Sequence, residues 1–165
     1  MLLDKYFIRP VFWDYTIALL FVCIAAISNF MGFYCYPDRD YDLSVATDLA
    51  SIGLTSSGFI LTLLTVLITF KSSSNLTKEA IKEENTVFEL FFTSDLYFET
   101  VKYLKNCFKS LVFISVLGFI FKIIVIKQVE HLFFYYNIFC LTIIVMTLWR
   151  CVLILSKVLE MQKTN

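Results

Sequence analysis

Residues 47–70 read "TDLASIGLTSSGFILTLLTVLITF". A bilayer core about 30 Å thick needs roughly 20 helical residues to cross it, and this stretch is long and apolar enough. Taken as a helix, it carries Thr47, Ser51, Thr55, Gly58, Thr62, Thr65 and Thr69 at steps of three and four, so small or hydroxyl-bearing residues hold one face. Lipid does not drive helices together, and membrane helices associate through small residues and interhelical hydrogen bonds. The period is close to 3.5, which favours a left-handed crossing of about +20°. The stripe therefore reads as a packing seam, within the bundle or between subunits. It also reads as a pore wall. In a homo-oligomer each copy would add one hydroxyl per level, and Asp48 would stand near the outer mouth and favour cations.

The rest of the chain follows the same pattern. It has 165 residues, of which 59% are hydrophobic, with a mean hydropathy of +0.76. Soluble domains do not reach that level. Three more apolar segments are long enough to span, at about 11–34, 108–126 and 132–155. Pro10 suits a first helical turn, and Trp13 and Tyr15 suit an interface. Pro37 is expected to stop the first span. That segment is too long, and lacks the small-residue cleavage site, to read as a removable signal peptide. The short 127–131 link makes the last two spans an antiparallel hairpin. The expected fold is all-α: one polytopic membrane domain, with span 2 at about 48–70 and a helical cytoplasmic hairpin at about 71–106 between spans 2 and 3.

Lysine and arginine counts set the orientation. Lys5, Arg9, Lys71, Lys78, Lys82, Lys102, Lys105, Lys109, Arg150, Lys157 and Lys163 lie on one side; Arg39 and Lys127 lie on the other, with Lys122 in reach. Both termini are expected to be cytoplasmic, in a bacterial inner membrane. "CYPDRDYDLSVATD" then forms an acidic outer loop, and the Asn75 sequon faces inward, away from glycosylation.

In the 71–106 stretch, "SSSN" (residues 72–75) is expected to break or cap the second helix. After it, Leu76, Ala80, Ile81, Phe88 and Phe91 repeat at helical spacing among Lys and Glu. "FFTSD" gives a stop and a new start, with Ser94 as N-cap. Phe98, Val101, Leu104, Phe108 and Leu111 then run on into the third span. The apolar stripe of Ile81, Phe88, Phe91, Phe98 and Val101 must be buried, between the two arms, against another subunit, or by a cytosolic protein partner. A partner that moved the hairpin would pull directly on spans 2 and 3.

Other chemistry is sparse. Asp14, Lys122 and Arg150 are the charges inside or at the edge of the spans. Asp14 and Arg150 lie near the inner face beside Trp13 and Trp149 and could pair. Anchoring at the interface is the plain reading, and a proton or substrate relay is the functional one. "DRDYD" places Asp38, Asp40 and Asp42 as a calcium loop begins, but the required Gly is missing and position twelve would be Leu49. His131 is expected in the tight outer turn. Cys23, Cys35, Cys107, Cys140 and Cys151 form no CxxC pair and read as free thiols, mostly buried. No metal-ligand cluster, phosphate loop or nucleophile motif occurs, so no metal, no cofactor and no enzymatic activity are expected. Net charge is zero, which gives nucleic acid nothing to bind.

A small four-span protein with "GFILTLLTVLITF" in its second span and a helical loop before its third resembles the membrane subunits of bacterial anti-phage defence systems of the Kiwa or Hailong kind. The resemblance implies an oligomer in the membrane that works with a cytosolic partner and in some cases conducts ions. The expected function is an oligomeric path for ions, formed or gated through the hairpin. The alternatives are a non-conducting membrane anchor for a cytosolic protein and, third, a membrane enzyme or coupled transporter that depends on Asp14 or Lys122.

Overall fold

The computed structural model describes residues 9–33, 37–77, 95–123 and 130–163, without the side chains of 39, 73–77, 95, 96, 130, 131 and 157–163. It holds four helices: α1 (Pro10–Phe30), α2 (Arg39–Thr77), α3 (Asp95–Ile123) and α4 (Glu130–Lys163). Each contains a segment long and apolar enough to cross a membrane, namely Pro10–Phe30, Asp40–Ser72, Tyr97–Ile123 and Leu132–Ser156. Four such segments fit a multi-pass membrane protein.

Local chemistry sets the helix ends, and four of them lie away from the expected positions. α1 starts on Pro10, where the missing N–H costs no helical bond. It ends at Phe30 rather than near 34. Gly32 takes a left-handed φ of 74°, its N–H bonds the Asn29 carbonyl at 2.9 Å, and the Phe33 N–H reaches back to Ser28 at 3.2 Å. This is a Schellman cap, so the helix stops before Pro37 acts. α2 begins at Arg39, because the Asp38 carbonyl accepts the Asp42 N–H at 3.1 Å and Asp40 and Asp42 sit favourably in the positive first turn. Most of the expected acidic loop is therefore helix. At its far end α2 runs through Ser72–Asn75 to Thr77, since no glycine or proline interrupts it there. α3 is unbroken from Asp95. His131 lies in the first turn of α4 rather than in a connecting turn.

α2 and α3 pack along each other most extensively, α4 lies against the other three, and α1 leans mainly on α4. The face that α2 turns inward holds Ala46, Ala50, Gly53, Ser57 and Ile60, again at steps of three and four. Close approach explains the small residues. A Cβ on Gly53 would overlap the Ser115 hydroxyl of α3. A Cβ on Gly118 would stand 2.8 Å from the Tyr136 hydroxyl and 2.9 Å from Ala50 Cβ. Tyr136 donates to the Ile114 carbonyl at 2.7 Å, tying α4 to α3. Leu104, Cys107, Leu111, Ile114, Cys140 and Ile143 complete the core.

Candidate functional site

The hydroxyl stripe of α2 is not the seam that holds the bundle together. Ser51, Thr55, Gly58, Thr62, Thr65 and Thr69 are exposed and Thr47 is half-buried. At 100° per residue the stripe lies about 135° around α2 from the inward face. A Cβ added at Gly58 would meet nothing within 4 Å. Each of the six hydroxyls donates to the carbonyl four residues back, at 2.8–3.0 Å. That bond satisfies the O–H in an apolar setting and leaves the oxygen lone pairs as acceptors. The stripe is thus a column of uncharged acceptors on the outside of the folded chain. Asp48 is exposed too, at the edge of this face. It lies well inside the helix, whose first turn is Arg39 to Asp42.

A second polar group is buried at one end of the bundle. The carboxylate of Asp14 (α1) lies 3.0 Å from Arg150 Nη1 (α4), and both side chains are essentially removed from solvent. Arg150 Nε donates to the Cys107 sulfur of α3 at 3.3 Å. The pairing agrees with the sequence reading, but the anchoring reading fails for both residues, because neither reaches the surface of the bundle. Arg150 Nη2 and the Thr147 hydroxyl one turn before it make no hydrogen bond among the described residues. At the other end Asn137 Nδ2 donates to the Asp42 carbonyl at 3.0 Å, with the Asp42 carboxylate at 3.5 Å. Asp42 is buried, which removes it from any acidic, solvated surface.

The Asp14–Arg150–Cys107 cluster is also a level marker. Trp13 and Trp149, the chain's two tryptophans, are exposed beside Asp14 and Arg150. Lys105 and Lys109, both exposed, flank Cys107 by about 3 Å along the axis. Indoles and ammonium groups of this kind gather where a bilayer meets water. α1 is about 31 Å long over its 21 residues, of which about 24 Å, from Asp14 to Phe30, lies beyond that level.

α2 departs from this arrangement. Gly53 lies against Leu111 and Ser115, and the Lys71 ammonium lies over the rings of Tyr97 (4.3 Å) and Phe98 (3.7 Å). The level of Cys107 falls between those two registers, close to Ile60. Beyond it α2 exposes Leu61, Val66, Ile68 and Phe70 for about 15 Å more, with no charge before Lys71. The charge-free part of α2, Leu49–Phe70, has 22 residues, about 33 Å of helix, and it ends at Phe70 rather than at the level of Ile60.

No family model, curated protein or solved structure matches the chain.

The remaining predicted residues divide by location. Phe98 is exposed under Lys71, and Val101 is half-buried. Ile81, Phe88 and Phe91 lie outside the described residues, as do Ser94 and Cys35. Cys107, Cys140 and Cys151 are buried, whereas Cys23 is exposed. Lys122 is exposed in the last turn of α3. Among the described residues no group of three His, Cys, Asp or Glu converges on a metal-sized site. Sequence reasoning passed over Ala46, Ala50, Gly53 and Ser57. Their step pattern equals that of the threonine stripe, and a second small-residue phase on the same helix was the signal that could have found them.

Proposed function

We propose that the chain is an oligomeric protein of the bacterial inner membrane, with both termini cytoplasmic, in which the outward face of α2 meets other copies and lines a path for ions. The observation that carries this reading is the outward direction of the stripe. Five hydroxyl-bearing residues, Ser51, Thr55, Thr62, Thr65 and Thr69, and Gly58 stand on a face that the bundle leaves uncovered. The overhang of α2 supports it as well. A bilayer bounded at the level of Lys105, Lys109, Trp13 and Trp149 does not reach Val66 to Phe70, so lipid is a poor cover for that face. A second copy would cover it along its whole length. Column upon column of acceptor oxygens, uncharged and satisfied on their donor side, suits a partly dehydrated cation. The resemblance to defence-system membrane subunits supplies the setting: an effector whose path opens when a cytosolic partner acts at the inner ends of α2 and α3.

The test is ion flux into liposomes with the full-length protein, alone and with Thr62→Leu. Thr62 is exposed and its one hydrogen bond is to its own helix, so loss of flux with an unchanged fold supports the path. Flux equal to that of the wild type contradicts it.

A non-conducting anchor is the second reading. Exposed Phe98, on the part of α3 that leads away from the level of the tryptophans, favours it. Phe98→Asp should then abolish capture of a cytosolic partner while the oligomer persists.

A further inference from the structure

Lys102, Lys105 and Lys109 are spaced three and four residues apart, so they stack on one face of α3, and all three are exposed. The same face continues with Phe113, Val116 and Ile120, also exposed. It changes from cationic to apolar within one turn. The opposite face of α3 carries Leu104, Cys107, Leu111 and Ile114 in the core, so the lysines point directly away from the bundle. Among the described residues none of the three forms an ion pair. The nearest acid on the helix, Glu99, is exposed about a quarter-turn round from them.

We propose that this face binds the phosphodiester headgroup of an anionic phospholipid, with the acyl chains lying along Phe113, Val116 and Ile120. Three points favour a lipid over a free anion or an acidic protein. Lys105 and Lys109 share a level with Trp13 and Trp149, the side chains that mark the edge of a bilayer. The apolar continuation gives the acyl chains a surface that inorganic phosphate cannot use. Lysines beside a hydrocarbon boundary are worth most against headgroup charge, where each contributes on the order of a five-fold gain in binding. Lys102 lies one turn further out and extends the site to the outer edge of the headgroup layer. The proposal does not depend on conduction or on oligomerisation.

The test uses the full chain with Trp13 and Trp149 replaced by Phe and a single reporter, Phe113→Trp, one turn from Lys109 on the lysine face. It is reconstituted in vesicles of phosphatidylcholine mixed with phosphatidylglycerol, and tryptophan quenching by brominated forms of each lipid is compared. Brominated phosphatidylglycerol should quench preferentially. Lys102, Lys105 and Lys109 replaced together by Gln should cut that preference at least five-fold, while replacement by Arg should keep it. Replacing chloride by inorganic phosphate at matched ionic strength should leave it unchanged. Equal quenching by the two lipids in the lysine-bearing protein overturns the proposal, and so does a preference that survives the glutamine substitutions. Loss of the preference in inorganic phosphate overturns it in favour of a free-anion site.

Discussion

The two faces of α2 carry the same kind of pattern and do opposite things. Inward, Ala46, Ala50, Gly53 and Ser57 let α3 approach until the Ser115 hydroxyl fills the place of a glycine side chain. Outward, Thr55, Gly58, Thr62 and Thr65 are exposed, and a Cβ at Gly58 would stand in open space. A helix that needs only one seam has no physical reason to keep small residues on both sides. Small residues permit close approach, and two such faces mean two approaches. One is to α3. The other, in the proposed function, is to a second copy of the chain.

Substitutions separate the inside from the outside in descending order of effect. Arg150→Ala leaves the Asp14 carboxylate buried without its partner and should destabilise the fold by about 3–5 kcal/mol, read as a lowered unfolding temperature in detergent or as failure to accumulate. Gly53→Leu forces a side chain into the space of Ser115 and should cost about 1–3 kcal/mol or more on the same measurement. Gly58→Leu makes an equal chemical change five residues away. It should alter the stability of the monomeric bundle by no more than about 0.5 kcal/mol, because the site is open. It should shift the oligomer instead, which the mass of the detergent-solubilised protein reports. Equal destabilisation by the two glycine substitutions would erase the distinction between the faces.

Much of this architecture was legible before any coordinates. Hydropathy alone located four helices long and apolar enough to span, because predominantly apolar stretches of about twenty residues have few other uses. The pairing of Asp14 with Arg150 was also accessible, since two opposite charges near the same end of two spans gain more from each other than from hydrocarbon. Helix ends were harder. Gly32 and Pro37 both signal a stop, and only the hydrogen bonds of Phe33 and Gly32 show that the glycine acts first. The acidic run at Asp38–Asp42 looked like a solvated loop, but carboxylates also suit the first turn of a helix. A linear sequence does not say which of those two roles wins. The direction of the threonine stripe was out of reach for a related reason. Periodicity shows that a face exists, and on α2 two faces share one period. Deciding which of them is turned inward needed the contacts at Gly53 and Gly118.

The central claim is that the outward face of α2 meets another copy of itself. The most direct measurement is thiol cross-linking in native membranes, in a chain whose five cysteines are replaced by Ala. One cysteine is then introduced at Thr62, or at Leu20 on the exposed side of α1. A bifunctional maleimide should give covalent dimers and larger species with Thr62→Cys and leave Leu20→Cys monomeric. Monomers with Thr62→Cys, or equal cross-linking at the two positions, would contradict the account.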